Sequence, residues 1–73
     1  MNPERARVLL AVRGMDTAPA RDKVIRAVGA VTGVVSVEPA GEGQLWVAYD
    51  PSAATVMDMI RAARRLGFLA GMG

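Results

Sequence analysis

The apolar residues of this chain change their spacing in a fixed order, and that order limits the folds open to it. Ala6, Val8, Leu10 and Val12 alternate with Arg7, Leu9, Ala11 and Arg13. This two-residue period is that of a half-buried strand over 5–13. Val24, Ala27, Val28 and Val31 recur at the three- and four-residue spacing of a helix with one buried stripe, which turns Arg21, Asp22, Lys23 and Arg26 toward water. Two further strands are predicted, Val34 to Pro39 and Gln44 to Tyr49, joined by the turn residues Ala40-Gly41-Glu42-Gly43. A second helical stripe follows in Val56, Met59, Ile60, Ala63 and Leu66, with Met57, Arg61, Arg64 and Arg65 outside it. Gly67 stops that helix, and Phe68-Leu69-Ala70 supplies a short last strand.

Residues that break regular structure fall between these segments. Gly14 to Ala20 reads as a loop, and Thr32-Gly33 closes the first helix, with the glycine free to take positive φ. Gly29, inside that helix, costs roughly 1 kcal/mol relative to alanine and suits an exposed face. Asp50-Pro51-Ser52 ends the third strand. The second helix then starts at Ser52 or at Thr55, where Thr55 and Asp58 have the spacing of a capping box. Pro39 cannot donate to a ladder and places the second strand at a sheet edge. Strand, helix, strand, strand, helix, strand is the split βαβ order of the ferredoxin-like α+β sandwich. Two helices then cover one face of a four-stranded antiparallel sheet in the order 4-1-3-2, and residues 1–73 form a single domain.

With no cysteine and no histidine among 73 residues, neither a disulfide nor a thiolate or imidazole site can reinforce the fold. A domain this short buries only about 60% of its unfolded surface, so an apolar core must hold it together. Nine basic and seven acidic residues are interspersed, a balance that gives no support to a polyanionic partner. Gly43 to Tyr49 only faintly echoes the aromatic third-strand motif of RNA-recognition domains, and Leu9 stands where the first strand would need an aromatic, so nucleic acid is not expected. The chain offers no paired carboxylates predicted to meet and no phosphate-cradling glycine loop, so catalysis is not expected either. Met57 and Met59 lie on different sides of one helix, and these with Met1 and Met72 read as packing residues rather than a methionine-rich copper site. The apolar stretch between Arg5, Arg7 and Arg13 is too short to span a bilayer, and Met1-Asn2-Pro3-Glu4 lacks the basic start of an export signal. The expectation is a cytoplasmic domain without membrane contact of its own, free-standing or part of a membrane-bound parent.

Four pieces of sequence in register carry a family likeness: Gly14-Met15-Asp16-Thr17-Ala18-Pro19-Ala20, Thr32-Gly33-Val34, Tyr49-Asp50-Pro51 and Gly67-Phe68-Leu69-Ala70. They resemble the Gly-Met-x-Cys-x-x-Cys, Pro-Gly-Val, Tyr-Asp-Pro and Gly-Tyr/Phe-x-Ala segments of the heavy-metal-associated domains of copper chaperones and P-type metal ATPases. The likeness covers nearly the whole chain, and it puts Thr17 and Ala20 at the two cysteine positions. A threonine hydroxyl is a hard, neutral, poor ligand for Cu(I) or Zn(II), and a methyl group is none, so no cofactor is expected. By the resemblance, Met15 packs beneath the loop and Phe68 lies next to it. The replacement residues suit a helix start, with Asp16 or Thr17 capping and Pro19 tolerated in the first turn.

The resemblance implies a docking or regulatory module in copper-like metal trafficking, meeting a protein partner through Asp16, Arg21, Lys23 and Arg26. Two alternatives stand beside it. One is weak or atypical metal binding through Met15, Asp16 and Thr17. The other is a weak homodimer through the sheet face away from the helices, where Trp46 is predicted beside Leu9 with Arg7 and Arg13 at the margins.

Overall fold

The structure is a computed structural model and describes residues 5–72. The readings made on Met1 to Glu4 lie outside the described residues. β1 (Ala6–Arg13), α1 (Ala18–Gly29), β2 (Val34–Gly41), β3 (Gln44–Tyr49), α2 (Val56–Arg65) and β4 (Leu69–Met72) follow one another in the predicted order. The strands form one antiparallel sheet, β2-β3-β1-β4, with β2 carrying Pro39 at an edge. This is the ferredoxin-like sandwich that the apolar spacing predicted.

The core lies between the helices and one face of the sheet. Val8, Leu10 and Val12 of β1 and Leu45 and Val47 of β3 meet Val24 and Val28 of α1 and Met59, Ile60 and Ala63 of α2. Leu10, Leu45, Met59, Val24, Val28 and Val47 are fully enclosed. No buried side-chain polar atom among the described residues lacks a partner, so burial of apolar surface, worth about 25 cal/mol per Å2, stabilises the fold without an opposing polar cost. Ile25, Val34 and Val37 also pack against this core. The first helix is therefore wider on its buried side than the four-residue stripe suggested.

Element boundaries moved where tertiary packing outweighs local preference. α1 begins at Ala18, inside the expected loop, because Thr17 caps it. It ends at Gly29 with Ala30 as its cap, short of Thr32-Gly33. Gly33 does take positive φ (+96°), but its role is tertiary: a Cβ there would lie 2.8 Å from the Ala53 Cβ and 2.9 Å from the Ala53 carbonyl carbon. The turn leaving α1 is thus pressed against the segment preceding α2, which also buries Ala54. Of the two starts considered for α2, Thr55 is the one used. Its Oγ1 accepts from Asp58 N and Asp58 Oδ2 accepts from Thr55 N, a reciprocal capping box. Ser52 instead donates from its amide and hydroxyl to Asp50 Oδ1 in the preceding turn.

Three further expectations are corrected. Leu66 is not part of the buried stripe, because α2 ends at Arg65 and Leu66 caps it with 46% of its surface exposed. β2 continues to Gly41, which leaves only Glu42-Gly43 as the hairpin turn. Phe68 precedes the last strand rather than opening it, with its amide still bonded to the Ala63 carbonyl of α2.

Candidate functional site

Gly14 to Ala20, where the resemblance locates a metal loop, is built as a rigid corner. Gly14 turns the chain at φ +91° as β1 ends. A Cβ on Gly14 would sit 3.3 Å from the Phe68 Cδ1, so the Phe68 ring closes directly against this turn. Met15 is buried in the core cluster, its side chain directed away from solvent. Asp16 and Thr17 are exposed, and Ala20 is half-buried. Of the two candidate caps, Thr17 takes the role: its backbone is extended (φ −121°, ψ 158°) and its Oγ1 accepts from Ala20 N at 3.2 Å. Pro19 occupies the first turn, where its missing N–H leaves no bond unmade.

This bond determines what the corner can do chemically. The Thr17 γ-oxygen, where the resemblance has the first cysteine, accepts from the amide of residue 20, where it has the second, so one of its lone pairs is engaged by the helix end. Met15, Asp16 and Thr17 do not converge: one side chain enters the core while the other two are on the surface. Among the described residues no group of three or more His, Cys, Asp or Glu is placed to hold an ion.

The predicted partner residues of α1 are all exposed but not on one side. Lys23 and Arg26, three residues apart, share a helix face, whereas Arg21 and Lys23, two apart, point to different sides. Asp16 precedes the cap and stands apart from both. The helix layer as a whole is strongly basic, with Arg21, Lys23, Arg26, Arg61, Arg64 and Arg65 against Asp22 and Asp58.

On the opposite face Leu9 and Trp46 are cross-strand partners, as expected. Arg7 lies over the indole, its guanidinium carbon 5.0 Å from the ring centroid, a cation–π contact. Arg13 is at the far end of β1, paired with Leu69 of β4. Sequence reasoning missed Glu38, which the ladder places opposite Trp46 on β2. The register between β2 and β3 shifts between Val34 and Ser36, leaving Val35 51% exposed. The alternation of Val37 with Ser36 and Glu38 was the available signal for that face.

No family model matches this sequence, and no curated protein matches it. Solved structures do. A mercury-bound form of MerP, described as the periplasmic protein of the bacterial mercury detoxification system, is 29% identical with a TM-score of 0.79, covering 93% of this chain and 96% of that one. The CopZ metallochaperone is 28% identical with a TM-score of 0.83, over 90% of this chain and all of that one. A copper-binding domain of HMA7, a P-type ATPase, is 25% identical with a TM-score of 0.87, over 96% and 95%. The chain has the heavy-metal-associated fold and contains no cysteine. These three, a copper-binding domain, a metallochaperone and a mercury-detoxification protein, are each matched over 95% or more of their own length. No helix among the described residues is long and apolar enough to cross a membrane.

Proposed function

We propose that this chain is a docking or regulatory module in heavy-metal trafficking, a heavy-metal-associated domain that meets protein partners without carrying the ion. The observation behind this reading is the Thr17 to Ala20 bond: the loop that would present two thiolates is a capped helix start. The surrounding frame is kept, including buried Met15, the Gly14 turn and the Phe68 ring. A partner that recognises the shape of this corner finds it intact, while an ion that needs thiolates finds none, and the Met15 thioether is buried.

The docking surface in this proposal is the first loop with α1, through Asp16, Arg21, Lys23 and Arg26. Exposed basic side chains of this kind set association rate and partner choice more than affinity. The setting is the cytoplasmic N-terminal domain of a metal-transporting P-type ATPase or a small chaperone-like protein, on the cytoplasmic side. The isolated domain is not an enzyme in this reading. Amide resonances of the isotope-labelled chain, followed while a copper-handling ATPase domain or chaperone is added, test it. Shifts clustered on Asp16 to Arg26 are expected, and an unchanged spectrum across such partners would sink the docking role.

A further inference from the structure

The open sheet face holds an exposed tryptophan and a shallow depression. Trp46 of β3 is 39% exposed. Between β1 and β4 a shallow hollow of about 280 Å3 is lined by Ala11, Arg13, Leu69, Ala70 and Gly71. The ladder pairs Ala11 with Gly71 and Arg13 with Leu69, so small residues form the floor of the hollow while Leu69 and Arg13 wall it. Leu69 is 60% exposed and contributes apolar surface that this chain does not itself cover.

The charges on this face are arranged for the same match. Glu38 sits one strand outward from Trp46, and Arg13 borders the hollow on the other half of the sheet. Arg7 is already stacked on the indole of its own chain, which leaves Glu38 and Arg13 as the exposed charges near Trp46 and the hollow. The helix layer carries six basic residues against two acidic ones and repels another copy of itself. On the sheet face the ladder positions hold Arg7 and Arg13 against Glu38, a smaller excess of positive charge than the helix layer carries.

We infer that the open sheet face is a two-fold dimer interface, in which Trp46 of each copy enters the Ala11/Gly71 hollow of the other and Glu38 faces the partner copy's Arg13. The ladder sets Glu38 one strand outward from Trp46 and Arg13 two residues along β1 from Ala11, so the two-fold arrangement asks each charge to reach its partner from beside the Trp46 contact. Self-complementarity of this kind is what an isologous interface requires. A buried tryptophan seated in a pocket is the residue type that most often dominates such a contact. The face is small, so the dimer belongs with weak, concentration-dependent assemblies. This inference is independent of the docking role, which uses the opposite layer.

Sedimentation equilibrium of the full chain up to about 1 mM tests it, alongside Trp46→Ala, Glu38→Arg, and Glu38→Arg combined with Arg13→Glu, each checked for retained fold by circular dichroism. Trp46 and Glu38 are exposed, so these variants keep the core. The wild type is expected to dimerise, Trp46→Ala to weaken the dimer at least tenfold, Glu38→Arg to weaken it, and the double reversal to restore it. A wild type that stays monomeric at 1 mM, or a dimer indifferent to Trp46→Ala, or a reversal that restores nothing, would overturn the interface.

Discussion

Returning cysteines to the corner tests whether it is an emptied site or an unrelated turn. In Thr17→Cys with Ala20→Cys, the new sulfur at residue 17 lies where Oγ1 now overhangs residue 20, 3.2 Å from its amide nitrogen. Both thiols then sit in the first turn of α1, where the positive end of the helix dipole favours thiolates. Loss of the threonine cap costs about 1 kcal/mol. For a domain of this size that lowers Tm by about 4–8 °C in the metal-free, reduced protein. Cu(I) at about one hundred times its Kd returns roughly 2.7 kcal/mol, which raises Tm by about 10–20 °C above the metal-free variant. Differential scanning calorimetry under reductant, with and without Cu(I), reads both changes, and the wild type is expected not to respond to the ion. A double variant whose Tm stays within about 2 °C on adding Cu(I) would show that residues 17 and 20 cannot share a ligand, and the comparison with metal-carrying domains would lose its chemical meaning.

Gly33→Ala should destabilise by about 3 kcal/mol, because the left-handed backbone disfavours a side chain by roughly 1–2 kcal/mol and the added Cβ meets the Ala53 backbone at 2.9 Å; urea unfolding checks this, and a loss under 1 kcal/mol would contradict the tight turn. Thr55→Ala removes the Oγ1 that accepts from Asp58 N and leaves only the backbone half of the capping box; it is expected to cost about 1 kcal/mol, seen as a Tm lower by roughly 4–8 °C. The Asp50 carboxyl is held below its ordinary range, first by the Ser52 hydroxyl and then by the Ser52 amide. A lowered folded-state value means this contact stabilises above the unfolded carboxylate range and is lost as pH falls through the folded value. Ser52→Ala should therefore move the Asp50 titration upward in a carboxylate-detected NMR experiment, and an unmoved curve would remove the hydroxyl as its cause.

Most of the architecture could be read from the chain because it is locally encoded. The alternation from Ala6 to Arg13, the stripe of Met59, Ile60 and Ala63, and the capping pair Thr55 and Asp58 each act over a few residues, and each appears as read. Where the reading failed, distant segments were in contact. α1 stops at Gly29 rather than Thr32, and the turn that follows is pressed at Gly33 against Ala53 and Ala54 from beyond β3. Leu66 has the right spacing for the core stripe but falls one residue after α2 has ended.

The candidate site divides in the same way. That the corner lacks thiolates follows from composition, since no fold can place a thiolate that the chain does not contain. That Thr17 rather than Asp16 caps the helix, and that Met15 enters the core, follows from backbone direction and packing. The open face needed the sheet most of all. Glu38, Trp46, Leu9, Arg13 and Leu69 come from four strands, and only the ladder register, including the shift at Val35, places them on one surface. Sequence by itself determined the periods of the elements and the absence of thiolate and imidazole ligands, because both are properties of neighbouring residues or of composition. Tertiary structure alone added Glu38 and Leu69 to the face predicted for Leu9 and Trp46, because pairing register couples residues far apart in the chain.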